Sequence, residues 1–385
     1  MGFLGGKGYC GPMTSEGETN GSSQVDMLTN HVLREPRGLD ELANVWDLLF
    51  GKAASPIQRY AWVRTCAEAC MAGQEPCVVV VGDRERPRAV APLVRRGSRP
   101  VRLGLLGVAQ LGEPMDLLYT DSTALDFLAR TLAGMGHPLC LERIPADSPT
   151  VGALRSAYRG RGVVICRPNG GCPWIPLDAS WQQPEQHFSS RRRADIRRMQ
   201  RRAEELGTVS AEILSPAPKD LEAMLDEAFK VEAACWKGQQ GTALGKDPIR
   251  GAFYRRYAAA SCQAGILRIC FLRIGGRPVA MEFAVECGEA FWLLKIGYDE
   301  EFARCSPGTL LMLKTVQYAA SRGLRSYEFL GNVDSWTQVW TQHVRSCVAV
   351  RVYPANLKGV AACISDGLRV AARRLRQMIK RRGRA

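Results

Sequence analysis

One hairpin pattern occurs twice in this 385-residue chain. Residues 76–81 form a continuous apolar run, 82–87 read as a turn, and 89–94 return as a second strand. Residues 266–274, 275–278 and 279–286 repeat that order at an offset of 191 residues. Arg86-Pro87-Arg88-Ala89 then falls on Arg277-Pro278-Val279-Ala280, and Val94 on Val285. The flanks agree. A helix precedes each hairpin, at 56–70 behind a Ser55 cap and at 253–262. Strand, helix and strand follow, at 103–106 with 115–119, 123–133 and 139–144, and again at 290–298, 307–322 and 326–330. A further helix is expected at 39–50. The repeated order predicts an α/β fold of tandem units, each a mixed, mostly antiparallel sheet flanked by helices. The expected divisions are a disordered stretch at 1–30, a first unit at 31–180, a second at 181–350 and a basic amphipathic tail at 351–385.

Charge narrows the partners. The chain carries 52 Lys and Arg against 38 Asp and Glu, a net +14. Residues 191–202 hold seven Arg against Asp195, and 369–385 hold eight basic residues and no acid. These two segments account for the whole excess, so the remaining chain is neutral. A general nucleic-acid binder spreads positive charge over a face, so this distribution argues against nucleic acid as the principal partner. No run of about 18 apolar residues is present to span a membrane, and 1–30 lacks the apolar stretch of a signal peptide. Fourteen Cys without a C-x-x-C pair, and four scattered His, give no zinc pattern. Reduced structural thiols and a cytoplasmic location are the expectation.

The two units differ between the third strand and the next helix. The second unit has a long link, 298–309, ending in Ser306-Pro307-Gly308-Thr309, where the first has only a short one at 120–123. A turn of this kind opening a helix presents backbone N–H groups at the positive end of the helix dipole, where phosphate binds. Pro307 suits the first helical turn, which needs no N–H. Ser306 acting only as a cap is the alternative.

These residues resemble the acyl-CoA-binding motif of the GNAT acyltransferase superfamily. The likeness is closest to its double-unit, CelD-like branch, named for cellulose biosynthesis, and more distant to FemAB-like aminoacyl transferases. It rests on Ser55-Pro56-Ile57-Gln58 with Trp62, Ala91-Pro92-Leu93-Val94 and Leu105-Leu106-Gly107; on the segment 236–244; and on Gly297-Tyr298-Asp299 through Ser306-Pro307-Gly308 to Phe329-Leu330-Gly331. The resemblance implies acetyl-CoA or a longer acyl-CoA as co-substrate, and no metal. Pantetheine would pair with the backbone of Lys295, Ile296 and Gly297, and pyrophosphate would sit at Arg304, Ser306, Pro307, Gly308 and Thr309. Pro307 and Thr309 stand where the family pattern has glycine, and Pro307 offers no N–H. Past Gly331, Trp336-Thr337 replaces the Tyr-Lys pair of many relatives.

The implied reaction moves an acyl group from a thioester to an amine, which needs a base, a carbonyl donor and an acid for the thiolate. Glu282, within an apolar strand, would have a raised pKa if buried and serve as the base; otherwise it is a solvated edge residue. Asp299 could orient the amine or simply make a turn. Tyr298 could protonate the thiolate or pack. Glu232, Trp236, Lys237 and Thr242, after an amphipathic helix, could form an acceptor wall. Asp334 and His343 are weaker acid or base candidates.

The expected activity is therefore acyl transfer to an amine of an envelope, polysaccharide or lipid acceptor. The basic tail at 366–385 is expected to give peripheral contact with the inner face of a membrane. A FemAB-like enzyme using charged tRNA on the 191–202 helix, and a non-catalytic membrane or nucleic-acid adaptor, are the alternatives. Oligomeric state is left open.

Overall fold

The computed structural model describes residues 28–49, 55–71, 73–97, 99–235, 244 and 247–382. Both hairpins form where the apolar runs place them. The strands β2 (Pro76–Asp83) and β3 (Arg86–Arg96) recur as β9 (Leu267–Ile274) and β10 (Arg277–Cys287), every boundary displaced by 191 residues. In the first unit β1 (Asn30–Leu33) flanks β2, and β4 (Arg102–Leu105) flanks β3 and runs parallel to β6 (Leu139–Pro145). In the second, β8 (Val209–Leu214) flanks β9, and β11 (Ala290–Tyr298) flanks β10 and runs parallel to β12 (Ser326–Glu328). A two-residue strand, β5 (Leu118–Tyr119), is all that forms of the strand expected at 115–119.

Two strands that the sequence does not announce join the halves. They are β7 (Gly162–Pro176) and β13 (Val344–Pro354). β13, from the end of the second unit, pairs with β6 of the first; β7, from the end of the first, pairs with β12 of the second. β7 and β13 also pair with each other, from Val344↔Pro173 to Pro354↔Gly162. The sheet order is thus β1-β2-β3-β4-β6-β13-β7-β12-β11-β10-β9-β8, almost a palindrome of the two units. Residues 351–354, expected to begin the tail, are the end of β13.

Helices cover both faces. They are α1 (Tyr60–Ala69), α2 (Ser122–Gly134), α3 (Thr150–Ala157), α4 (Ser190–Glu204), α5 (Leu221–Ala233), α6 (Pro248–Gln263), α7 (Pro307–Ser321) and α8 (Leu357–Arg382). The helix expected at 39–50 is instead two 3₁₀ segments around a single α turn. α1 and α6, equivalent in the two units, pack together through Trp62, whose ring lies 4.7 Å from Phe253 and 4.9 Å from Tyr257. One core joins the first unit to α5 and α6, and a second lies between the second unit's sheet and α4 and α7.

Candidate functional site

β11 and β12 part company, for reasons that lie in particular residues. Their parallel ladder runs from Ala290↔Ser326 to Trp292↔Glu328 and ends there. On its other edge β11 skips Leu294 in its pairing with β10, a bulge between Phe283↔Lys295 and Ala284↔Leu293. An extra residue bends the strand that carries it. The Leu294 carbonyl accepts from the Tyr254 hydroxyl at 3.5 Å, and the Lys295 ammonium lies over the Tyr254 ring. Past β12 the chain turns through Leu330 and Gly331, both at φ +54°. Left-handed backbone at a branched leucine is strained, so the turn needs anchors. The Gly331 N–H donates to Glu113 Oε2 at 3.2 Å, and its carbonyl accepts from the Arg143 guanidinium. Arg143 also donates to Asn332 Oδ1 at 2.6 Å. Both anchors come from the first unit.

A cavity of about 720 Å³ opens in this splay. Its walls include residues 293–298 of β11, the turn at 306–309, Glu113, Glu282 and Arg192, with Met312, Phe329, Trp336, Val339 and Trp340 as the apolar side. Glu282 is 2% exposed. Its Oε2 accepts from the Tyr327 hydroxyl at 3.2 Å, and Tyr327 is itself 3.0 Å from the Thr315 hydroxyl. Oε1 is buried without a hydrogen-bond partner among the described residues. Burial pushes the carboxyl up to about 7, against the lowering effect of the Thr315 and Tyr327 hydroxyls. Burial likewise raises Glu113, against its bond from Gly331 and the nearby cations Lys295, Arg143 and Arg250.

The phosphate turn has a specific form. Ser306 sits at φ +46°, ψ +55° and makes no side-chain cap, which corrects the reading of it as a capping serine. Its N–H donates to the Ala303 carbonyl at 3.0 Å, and the Thr309 N–H donates back to the Ser306 carbonyl at 2.9 Å. Of the expected amides, the Gly308 N–H is the one for which the described residues provide no backbone acceptor. A Cβ on Gly308 would lie 3.9 Å from Cδ1 of Tyr298, whose hydroxyl is raised by burial. The Arg304 side chain is exposed and does not line the cavity. The basic helix α4 packs against this segment: Arg202 donates to the Arg304 carbonyl at 3.4 Å, and Arg192 reaches the cavity with its Nε unpaired among the described residues.

Glu282, Tyr298, Lys295, Ile296, Gly297, Ser306, Pro307, Gly308 and Thr309 therefore come together. Asp299 does not join them. One oxygen caps the turn by accepting from the Glu301 N–H at 3.1 Å, and the other pairs with Arg277. Glu232 is buried beneath β11, its carboxylate accepting from the Leu244 N–H at 2.8 Å, and it is not in the cavity wall. Trp236, Lys237 and Thr242 lie outside the described residues. Asp334 reaches the cavity, whereas His343 is exposed beside Trp174. Glu113 and Arg143 were missed because each belongs to the first unit and reaches the site only through the fold.

Residues 190–338 match the family model described as "Acetyltransferase (GNAT) domain". The chain carries a GNAT acetyltransferase domain. This match spans the turn, the bulged strand and Glu282, and it begins at α4, so the basic helix is part of the domain. Solved structures extend the likeness over both units, as a fold. A conserved protein of unknown function from Bacteroides thetaiotaomicron VPI-5482 aligns over 84% of this chain and 99% of its own, with TM-score 0.53 and 11% identity. L-PGS from Bacillus licheniformis aligns over 89% and 98%, with TM-score 0.52 and 11% identity. FemX aligns over 85% and 98%, with TM-score 0.51 and 11% identity. A search of curated proteins gives no sequence match. The GNAT domain thus sits in an architecture of two related units, and among the described residues no helix is long and apolar enough to cross a membrane.

Proposed function

We propose that the protein transfers an acyl group from acyl-CoA directly to a primary amine, with Glu282 as the general base. The observation that carries this reading is the buried Glu282 carboxyl, raised to about 7, opening into the same cavity as the splayed β11 and the turn before α7. A base poised near neutral pH has the right strength to take a proton from an ammonium as it leaves water. The Gly308 N–H and the positive end of α7 suit the pyrophosphate of the donor, and Arg192 adds a cation beside it. The amine nitrogen attacks the thioester carbonyl, the C–N bond forms and the C–S bond breaks. The amine's proton passes to Glu282, and the departing thiolate takes a proton from Tyr298, which is restored by solvent. The walls of Met312, Phe329, Trp336, Val339 and Trp340 suit an apolar acyl chain or an acceptor with an apolar body, such as a lipid or an envelope glycolipid.

Direct binding tests the donor. Acetyl-CoA and palmitoyl-CoA should each raise the thermal midpoint, the one that fits the apolar wall by more. Free thiol should then be released when an amine acceptor is added. A midpoint indifferent to both donors would remove the proposal. One observation favours a second donor: the seven-arginine helix α4 lies directly beside the phosphate turn, as a charged tRNA would need. Activity lost on RNase treatment, and not supported by acyl-CoA alone, would choose that reading.

A further inference from the structure

The C-terminal helix is amphipathic, and its apolar stripe faces away from the protein. α8 docks at its start, where Ala362 is fully buried and Arg102 donates to the Ala362 carbonyl at 3.1 Å and to Asp366 Oδ1 at 2.7 Å. The Tyr353 hydroxyl donates to Asp366 Oδ2 at 2.9 Å. Leu357, Val360, Ile364 and Leu368, spaced by three and four residues, lie together on the other side. They are exposed at 89%, 54%, 59% and 66%. Of the twelve large apolar side chains that the described residues leave exposed, six are on this helix, where Val370 and Met378 complete the set. A water-facing helix with so much apolar surface implies an occupant.

Charge selects it. The helix sequence has eight basic residues and one acid, Asp366, which the body already holds through Arg102. A second copy would bring the same positive charge against it, and a nucleic acid would leave the apolar stripe in water. At 100° per residue Lys358, Arg369 and Arg376 project along one flank of the stripe and Arg374 along the other, the placement that reaches lipid headgroups while apolar side chains enter the acyl boundary.

We propose that α8 lies on the surface of an anionic lipid bilayer through the Leu357, Val360, Ile364 and Leu368 stripe and holds the protein there as a peripheral membrane protein. The docked start of α8, with Asp366 on Arg102, would fix the body's orientation to the membrane. This inference stands whether or not the cavity transfers acyl groups.

Sedimentation of the full chain with extruded vesicles tests it. Vesicles of equimolar phosphatidylglycerol and phosphatidylcholine should carry the protein down, and pure phosphatidylcholine should not. Raised salt should weaken the binding. Ile364→Glu with Leu368→Glu should lower the partition coefficient at least about tenfold with the thermal midpoint unchanged, since both side chains face solvent. Arg374→Glu with Arg376→Glu, which leaves the stripe intact, should also release the protein from the anionic vesicles. The inference is overturned if the chain ignores anionic vesicles or if both double variants bind them as the parent does. It is also overturned if light scattering finds a dimer that the Ile364 and Leu368 changes dissolve while no vesicle binding is seen.

Discussion

Replacing Glu282 with glutamine should raise stability at pH 8 and sharply lower activity together. The carboxyl is held at about 7 against an ordinary 4.5 because burial disfavours its charge. In the unfolded chain it ionises near its ordinary value. Below pH 4.5 both states keep the proton and the group costs nothing. As pH rises from 4.5 to 7 only the unfolded state gives it up readily, so the folded state loses stability, and above 7 the loss is constant. The displacement corresponds to about 3 kcal/mol. Glutamine has the same shape, can accept from Tyr327 and never charges, but its amide leaves a donor where Oε1 had no partner, which costs about 1 kcal/mol. The net gain at pH 8 is therefore about 2 kcal/mol, and at pH 4.5 it is absent or reversed.

Urea unfolding at the two pH values measures the difference. The kinetic expectation runs the other way: kcat/KM falls about 10²–10⁴-fold in Glu282→Gln, the range for a missing general base. In the parent, kcat/KM should rise with pH through an apparent pKa near 7. Tyr327→Phe removes a hydroxyl that favours the ionised carboxylate, so it should move that limb to higher pH. Equal stability of parent and Glu282→Gln at pH 8 would refute a buried, ionising carboxyl. A variant retaining activity within about threefold, with the same limb, would refute its role as base.

Other perturbations separate positioning from chemistry. Glu113→Ala leaves the Gly331 N–H without its acceptor and should cost about tenfold in kcat/KM, whereas Glu113→Gln keeps an acceptor oxygen and should recover most of it; steady-state kinetics on the pair decides. Gly297→Ala would put a Cβ 2.6 Å from Glu232 Cα, so β11 and α5 must move apart; denaturant titration should show a loss of about 1–3 kcal/mol. Arg192→Ala should weaken donor binding about tenfold and reduce its salt dependence, read by calorimetry, without shifting the pH limb set by Glu282.

The repeated hairpins were legible because a continuous apolar run, a turn and a returning run constrain a chain locally, and their offset held to the residue. β7 was not legible: Pro168, Gly170, Gly171 and Pro173 interrupt the apolar pattern that marks a strand. The structure explains them through pairing with β13, where a Cβ on Gly162 would lie 2.5 Å from the Tyr353 carbonyl oxygen and one on Gly171 2.5 Å from Val344. Within the site, Glu282 stood out as a carboxylate in an apolar strand. Its burial depends on Tyr327 and Thr315 from two other elements, so sequence left the matter open. Asp299 carried a suggestive position but no partner in view; Arg277 and the Glu301 N–H claim it. Glu113 has no local pattern at all, because what it anchors is a glycine 218 residues away.

The first unit lacks the residues that build this site in the second. At the shared offset, the residue matching Glu282 is Ala91, and its strand partner Val79 matches Cys270. The buried carboxyl is therefore absent from the first hairpin although its backbone register is kept. The helix that follows is closed as well. Asp121 accepts from the Ala124 N–H at 3.0 Å and pairs with Arg88 at 2.7 Å, placing a carboxylate where the second unit has the uncapped turn at Ser306. A carboxylate that occupies a helix N-terminus excludes an external anion by charge and by hydrogen bonding. The first unit instead supplies Glu113 and Arg143, which hold the left-handed turn after β12. The exchange of β7 and β13 ties that support to the sheet carrying Glu282. Separating the units would therefore remove more than stability: it would take the anchors from the wall of the cavity while leaving every residue of the GNAT domain in place.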